Sequence, residues 1–337
     1  MNIKKTLFQW TAAFIIGFFV VNLLCFGYER PTGWIETPNG PSPAGWNPNK
    51  VVVHGTEGFG VMKSDENGYI NKSTSLQDRY VLCMGSSHTQ GKEMAMDEKY
   101  SSLINARFSE DGNELAVYNI ACDGNFLPTL IKHFPAAVEA FPKASVVTIE
   151  ISNTDISVEE LEDAMLQAEY DEVQSVKNQL QYMGLKDKLK IFIKEYFPLI
   201  SLVKSKMETS SANVSVGGSV EKNDEDDAAK ALENALKLIR SQYDGKIIFI
   251  YHSQTMIEKD ATLYFAEDKL FDTFEKACKE NNICLVDMRP VFVEHYENTQ
   301  EIPYGFADTK PGNGHLNKLG PRLIAESLIP YIEEVMK

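Results

Sequence analysis

The sequence predicts an α/β fold, a three-layer α/β/α sandwich with a five-stranded parallel sheet, preceded by one N-terminal transmembrane helix. Three observations support this prediction: five short apolar runs recur along the chain, helical segments separate them, and a long uncharged segment lies near the N-terminus. Strands that alternate with helices are typical of a parallel sheet. Because helices cover both faces of such a sheet, its strands are continuously apolar.

The five apolar runs are rich in Val and Ile and have the length of buried strands. They span residues 80–84, 115–120, 146–151, 246–251 and 283–287. The stretches between them and after them have apolar residues at helical spacing, which predicts helices. These helices span residues 99–108, 127–141, 228–243, 263–281 and 319–336.

The segment over residues 7–28 contains no charged residue and is long enough for a membrane-spanning helix, which needs about 20 apolar residues. Lys4 and Lys5 precede it and Glu29 follows it. By the positive-inside rule, residues 1–6 are a cytoplasmic tip and the rest of the chain is extracytoplasmic. A cleaved signal peptide is the alternative, but no small-residue cleavage site follows the run. The sequence therefore predicts a single-pass anchor in the cell membrane.

Two further segments lie outside the regular pattern of strands and helices. Residues 29–77 begin with a Pro-, Gly- and Asn-rich stretch and predict a stalk with accessory strands before the core domain of residues 78–337. Residues 157–227 predict a helical insertion followed by a Ser-, Gly- and Asp-rich linker. The helical part is amphipathic and rich in lysine, and Pro198 divides it. It either packs on the core with solvated lysines, contacts an anionic surface or covers the active site.

The composition excludes some classes of function. The chain has 337 residues, of which 43% are hydrophobic and 24% charged, as in an ordinary folded protein. Its net charge of −15 argues against nucleic-acid binding, which needs a basic face. Its five cysteines show neither metal-ligand spacing nor a disulfide framework, and no His and carboxylate residues cluster at ligand spacing. We therefore predict no metal and no cofactor.

Small and polar residues follow the predicted strands. Ser86 and Ser87 follow the first strand, Gly124 lies beyond the second and Asn153 beyond the third. In an open parallel sheet, ligands bind beyond the carboxyl ends of the strands. The loop after the fifth strand contains His315. The sequence therefore predicts that these residues share one site.

These residue types suit acyl transfer. A serine nucleophile at Ser87 needs a base, for which His315 is the candidate. The oxyanion needs fixed donors, for which the backbone N–H groups of Ser87 and Gly124 and the amide of Asn153 are candidates. Each residue has an ordinary structural alternative: the serines as helix caps, Gly124 as a turn, Asn153 as a strand-end cap and His315 as a surface loop residue. Together, at successive strand ends, they favour a catalytic site.

Four blocks resemble those of the SGNH/GDSL hydrolase superfamily, in the same order. They are GSSHTQG at residues 85–91, NIACDG at 119–124, ISN at 151–153 and GHLNKLG at 314–320. The resemblance covers residues 78–337. It implies a flavodoxin-like SGNH fold and a cofactor-independent ester hydrolase or acyltransferase. Ser87 then stands at the nucleophile position, Gly124 and Asn153 at the oxyanion positions and His315 at the base position.

The sequence departs from the family pattern at two positions. Ser86 stands where the Gly-Asp-Ser signature has its aspartate, and Gly312 stands three residues before His315, where the family usually has its catalytic aspartate. Asp308, seven residues before His315 in a Gly- and Pro-rich loop, is the candidate to orient the imidazole. A Ser–His dyad assisted by a backbone carbonyl is the alternative.

The architecture also resembles membrane-anchored SGNH proteins, such as the alginate O-acetylation and teichoic-acid D-alanylation proteins. That resemblance implies an extracytoplasmic serine esterase or O-acyltransferase that acts on an O-acyl group, foremost acetyl, of a cell-envelope polysaccharide. The substrate would be an O-acylated glycan or a small acyl ester, and a membrane-bound O-acyltransferase is the implied partner. A catalytically inactive glycan-binding or scaffolding protein is the alternative, which the missing aspartate favours.

Overall fold

The computed structural model describes residues 3–30, 46–110, 114–168, 184–209, 225–257 and 261–336. Within these ranges it has nine strands: β1 (Val51–His54), β2 (Gly60–Lys63), β3 (Leu76–Met84), β4 (Leu115–Asn119), β5 (Ala144–Ile151), β6 (Lys246–Tyr251), β7 (Thr255–Ile257), β8 (Leu263–Phe265) and β9 (Cys284–Asp287). Most of the predicted stalk, residues 31–45, and most of the predicted linker, residues 210–224, lie outside the described residues.

Eleven α-helices are described in the same ranges. They are α1 (Ile3–Cys25), α2 (Ser87–Gln90), α3 (Tyr100–Phe108), α4 (Leu127–Ala140), α5 (Val158–Ala168), α6 (Leu185–Tyr196), α7 (Pro198–Thr209), α8 (Glu225–Ser241), α9 (Phe271–Glu280), α10 (Arg289–Thr299) and α11 (Leu319–Met336).

The central sheet confirms the predicted fold class. Its five strands lie in the order β4-β3-β5-β6-β9, and every neighbouring pair is parallel. The first strand along the chain, β3, lies between the second and the third, so the strand order reverses at β3. Successive crossovers therefore run to opposite sides of β3, which leaves a crevice at its carboxyl end.

Helices cover both faces of the sheet, and β3 shows how its pleat feeds both cores. Leu82 and Met84 pack with residues of α4, α5, α8 and α9 on one face. Val81 and Cys83 point to the other face and pack with residues of α3, α10 and α11. Because successive side chains of a strand point to opposite faces, a fully apolar strand is stable only between two such layers.

The N-terminal segment has two parts before the sheet begins. The helix α1 has 23 residues, which gives a length of about 34 Å at 1.5 Å per residue, so it is long and apolar enough to cross a membrane. Beyond it, β1 and β2 form an antiparallel hairpin, and Arg30 forms a backbone bridge with Val53 in β1. A small apolar cluster supports this hairpin: Trp46, Val52, Met62 and Ile70.

The structure differs from the sequence prediction in two places. The helix predicted over residues 263–281 starts only at Phe271, because residues 263–265 form β8 and pair with β7. The predicted insertion is also narrower than residues 157–227. Helix α5 packs into the core through Leu161 and Ala164, both buried, and therefore belongs to a helical layer of the sandwich. Pro198 divides the remaining helical part into α6 and α7, as predicted.

Helix α5 offers a matched test of the core. Leu161 is fully buried, whereas Leu166 on the same helix is 57% exposed. Leu161→Ala removes buried methyl groups and leaves a cavity, so we expect a loss of about 2–5 kcal/mol in the free energy of unfolding. Leu166→Ala should change it by less than about 0.5 kcal/mol. Denaturant unfolding followed by circular dichroism measures both, and equal losses would contradict this placement of α5.

Candidate active site

A sharp turn after β3 holds the candidate nucleophile. Gly85 packs so tightly that a Cβ atom there would lie 2.4 Å from Thr89 Oγ1 and 2.7 Å from Glu150 Oε2. Ser86 is the N-cap of α2, and its Oγ accepts a hydrogen bond from His88 N. Ser87 is the first residue of α2, a single turn. From the sequence, either serine could be the helix cap or the nucleophile. In the structure Ser86 caps the helix, so Ser87 is the candidate nucleophile.

A buried carboxylate in β5 fixes this turn from below. Glu150 accepts hydrogen bonds from Ser86 N and Ser86 Oγ, both at 2.8 Å, and from Thr89 Oγ1 at 2.9 Å. His252 Nε2 lies 3.0 Å from its other oxygen. Burial alone would raise the pKa of Glu150, but the hydrogen bonds and nearby histidines lower it to about 2. The carboxylate is therefore charged, and it stabilises the turn through charge-assisted hydrogen bonds.

Ser87 and His315, which the sequence predicts to share one site, lie within hydrogen-bonding distance. Ser87 Oγ is 2.9 Å from His315 Nε2, although the two residues are 228 positions apart in the chain. The side chain of Ser87 is nearly buried, whereas that of His315 is 26% exposed. A base at this distance can take the serine proton directly.

The acceptor at the other imidazole nitrogen is Glu57, in the loop between β1 and β2. Its Oε2 lies 2.7 Å from His315 Nδ1, and its Oε1 accepts a hydrogen bond of 2.6 Å from His315 N. Gly314 permits this approach: its φ is +93°, and a Cβ atom there would lie 2.1 Å from Glu57 Oε1. One carboxylate thus fixes both the backbone and the ring of His315.

The pKa shifts of this pair follow from the contact. Burial lowers the pKa of His315, but the hydrogen bond to Glu57 and the charges of Glu93 and Glu57 outweigh it, so the pKa is raised overall. Burial raises the pKa of Glu57, but the bonds to His315 and its charge outweigh that, so this pKa is lowered. The arrangement therefore stabilises an imidazolium between Ser87 and Glu57, which is the species that proton transfer from the serine creates.

Asp308 lies elsewhere, and its predicted contact with His315 needs correction. Asp308 Oδ1 accepts a hydrogen bond from Gly58 N at 3.1 Å, next to Glu57 in the chain. The loop from Asp308 to His315 instead folds so that Gly312 N bonds to Tyr304 O and Gly305 N to His315 O. Glu57 is the acceptor at His315 Nδ1. Asp308 instead stabilises the loop that carries Glu57.

Gly124 and Asn153, the predicted oxyanion residues, lie in loops beyond β4 and β5. Gly124 has a φ of +84°, and no atom lies within 4 Å of where its Cβ would be, so it borders open space. Cys122 N donates to Gly85 O, which ties this loop to the nucleophile turn. Asn153 Oδ1 accepts from Asp155 N at 3.0 Å, whereas its Nδ2 has only a long contact of 3.5 Å with Asp155 O. Its amide hydrogens are therefore poorly satisfied within the loop.

His88 links the nucleophile turn to the loop of His315. Burial and the charge of His252 lower the pKa of His88 well below its usual value. The ring is therefore neutral, and its Nδ1 accepts a hydrogen bond of 3.2 Å from Leu316 N. Since Ser87 and His315 are the neighbours of these two residues, the bond holds nucleophile and base in register.

A second carboxylate, Glu93, lies beside the same histidine. Its side chain is fully buried, and its Oε1 is 3.6 Å from His315 Nε2. Burial raises the pKa of Glu93. Glu93 also lines a cavity of about 440 Å³ with the apolar side chains of Phe59, Phe306 and Leu319. A cavity of this size is within the range of small-molecule sites.

Glu57, Glu93 and Glu150 are not among the residues that the sequence predicts for the site. Glu57 lies in the segment predicted as accessory, and its only signal is an acidic residue before the turn glycines at 58 and 60. Glu150 lies inside an apolar run of the sequence. An isolated carboxylate is unusual there, so its position could have indicated a role in the site. Among the described residues, no three His, Cys, Asp or Glu side chains are grouped to hold a metal ion.

Comparisons with known proteins give matches to solved structures only. A scan against protein-family models finds no match, and a search of curated proteins finds none either. Solved structures with a similar fold include TesA (12% identity, 76% of this chain and 99% of that chain, TM-score 0.39). Another is an acetyl xylan esterase (15% identity, 75% of this chain and 99% of that chain, TM-score 0.43). A third is a member of the lipolytic G-D-S-L family from Veillonella parvula (14% identity, 76% of this chain and 98% of that chain, TM-score 0.36). At these identities and TM-scores the function proposed below rests on the geometry of the site.

The contact between Glu57 and His315 predicts a pH effect. Glu57 stabilises protonated His315, so Glu57→Gln should lower the imidazole pKa and keep the ring neutral to lower pH. Asp308→Asn is the control, since Asp308 contacts Gly58, and it should shift the pKa less. Histidine NMR titration, with His315→Asn used to assign the resonance, measures the shift. An unchanged or higher pKa in Glu57→Gln would contradict the contact.

Proposed function

We propose that this protein is an extracytoplasmic serine esterase or O-acyltransferase that acts on an O-acyl group of a cell-envelope polysaccharide. The observation that carries the proposal is the hydrogen-bonded series from Ser87 Oγ to His315 Nε2 and from His315 Nδ1 to Glu57. A serine, a histidine and a carboxylate in this order form the geometry of nucleophilic acyl transfer, whatever their order in the chain.

In the first half of the reaction, Ser87 Oγ attacks the acyl carbonyl as His315 Nε2 takes its proton. The carbonyl oxygen becomes an oxyanion, which the N–H groups of Ser87 and Gly124 and the amide of Asn153 stabilise. Such fixed donors act where charge develops. Glu57 stabilises the imidazolium and retains its own negative charge. His315 then protonates the leaving alcohol, and an acyl-serine remains.

In the second half, His315 removes a proton from water or from a sugar hydroxyl, which attacks the acyl-serine. The bond between the acyl carbon and Ser87 Oγ then breaks, and His315 returns the proton to Ser87 Oγ. Water gives the free acid, and a sugar gives the O-acylated glycan. The cavity lined by Glu93, Phe59 and Phe306 is the candidate place for the second substrate, because Glu93 Oε1 lies 3.6 Å from His315 Nε2. A partly apolar cavity excludes water, which favours transfer over hydrolysis.

The proposed location follows from the N-terminal helix. Helix α1 anchors the protein in the cell membrane, and Lys4 and Lys5 before it favour an N-terminus on the cytoplasmic side. The site is then extracytoplasmic, on the side of the membrane where the proposed envelope glycan lies. A membrane-bound O-acyltransferase is the partner that we propose as acyl donor.

A catalytically inactive scaffolding protein is the second candidate. The reason for it was the missing aspartate before His315, and Glu57 supplies a carboxylate at that position in space. The hydrogen-bonded series therefore favours catalysis over scaffolding.

Reaction with a fluorophosphonate probe tests the catalytic proposal. Ser87→Ala should abolish labelling, whereas Ser86→Ala should retain labelling at Ser87. Glu57→Gln should slow the reaction by about 10⁴, as for loss of the acid of a triad. Asp308→Asn removes the charge but keeps an oxygen that can accept the hydrogen bond from Gly58 N, so it should slow the reaction by no more than about tenfold. Labelling that survives Ser87→Ala, or a larger loss from Asp308→Asn than from Glu57→Gln, would refute these assignments.

Protease accessibility tests the location. In spheroplasts, added protease should digest the chain beyond residue 30, because α1 leaves this part outside. A cytoplasmic marker protein that stays intact is the control for unbroken membranes. Full protection of the domain until detergent is added would overturn both the orientation and the envelope substrate.

A further inference from the structure

Helices α6 and α7 present an apolar surface that the described residues leave largely exposed. On α6, Leu185, Leu189, Phe192 and Tyr196 lie at helical spacing on one face and are 85%, 55%, 50% and 49% exposed. Ile200 and Val203 extend this surface onto α7. We call these six side chains the α6–α7 face. Side chains of this size are seldom exposed together in a soluble protein without an interaction partner.

The α6–α7 face lies beside the end of the apolar helix α1. The rings of Phe18 and Phe197 stack with centroids 6.0 Å apart. Asn22 Nδ2 donates to Tyr196 O at 2.8 Å, and Asn22 Oδ1 accepts from Leu199 N at 3.3 Å. Asn22 therefore satisfies backbone groups at the break between α6 and α7. Since α1 ends at Cys25, this contact lies within its last two turns, at the depth where a spanning helix leaves the hydrocarbon.

The charges around the face suit anionic lipid. At about 100° per residue, Lys186 and Lys188 lie on either side of the apolar stripe of α6, and both are exposed. Together α6 and α7 contain six Lys and three Asp or Glu, in a chain whose net charge is −15. An apolar stripe flanked by lysines is typical of a helix that lies in the membrane interface.

From these observations we infer that α6 and α7 lie in the outer leaflet interface beside α1, with the α6–α7 face in the acyl region and the lysines at the headgroups. This inference rests on the membrane anchor of the proposed function. A second copy of the chain or another protein would need no flanking lysines and no placement at the end of α1.

The consequence is a fixed height of the active site above the membrane. At the break between the helices, Glu195 lies 2.7 Å from Asn47 Nδ2 and 3.4 Å from Lys50 Nζ, just before β1. Glu29, four residues beyond α1, accepts a hydrogen bond from Gly55 N at 3.1 Å. Glu57 is two residues from Gly55, a span of at most about 7 Å. Glu57 is thus connected to the end of α1 by two sets of contacts: those of Glu195 before β1, and that of Glu29 with Gly55 after β1.

Photo-crosslinking of the full chain in vesicles of phosphatidylethanolamine and phosphatidylglycerol tests the inference. The residue p-benzoylphenylalanine replaces Leu189 in one variant, Phe14 of α1 in a second and Leu166 of α5 in a third. Leu166 is 57% exposed and so matches Leu189. We expect a lipid adduct at position 189 with a yield like that at position 14, and no lipid adduct at position 166.

A dimer-sized adduct at position 189, or no adduct there when position 14 gives one, would overturn the inference. No lipid adduct at position 14 would refute the anchor itself, while hydrolysis of p-nitrophenyl acetate by the same samples reports on the catalytic site separately.

The lysines are tested in the variant with the crosslinker at position 189. Lys186→Glu together with Lys188→Glu should reduce the lipid adduct by about fivefold or more in vesicles with phosphatidylglycerol, since each basic residue near an anionic surface contributes binding energy. In phosphatidylcholine vesicles the two proteins should give similar yields. An equal yield in phosphatidylglycerol vesicles would overturn the assignment of the lysines to the headgroups.

Discussion

The two hydrogen bonds between Glu57 and His315 are the constraint on which the site depends. They join the β1–β2 loop to the loop before α11, and they fix the imidazole toward Ser87. Among the described residues, no other group forms a hydrogen bond with His315 Nδ1. Without Glu57, the tautomer and the orientation of the imidazole would not be fixed. The N-terminal segment is therefore part of the candidate site, and residues 78–337 alone do not contain all of it.

A second carboxylate performs the matching task for the nucleophile. Glu150 is fully buried and holds Ser86 through two donors, so that Ser87 can only project from the other side of the turn. Its low pKa follows from the histidines and donors around it. Leaving such a charge unpaired is costly, and the network of His252, Thr89 and Ser86 is thus obligatory. The two carboxylates act at different depths: Glu150 places the turn, and Glu57 places the base.

The anchor and the site are also structurally coupled. Glu29 and Arg30, just beyond α1, bind the backbone at Gly55 and Val53, and Glu57 follows within the same loop. The connection between α1 and the site is therefore short and hydrogen-bonded near the carboxyl end of β1.

The sequence alone determined the sheet, its strands and the pairing of Ser87 with His315, because these depend on local patterns. Apolar runs define strands, the strand ends of a parallel sheet meet at one edge, and residues 85–91 and 314–320 carry recognisable spacing. Only the tertiary structure decided which carboxylate lies next to the imidazole of His315. Glu57 is 258 residues from His315, in a segment without regular pattern, and nothing local relates the two positions. The same holds for α5, whose amphipathic pattern fits an insertion as well as a core layer, and for the α6–α7 face. An amphipathic helix specifies that one side is apolar, but what covers that side is decided by the elements that fold against it.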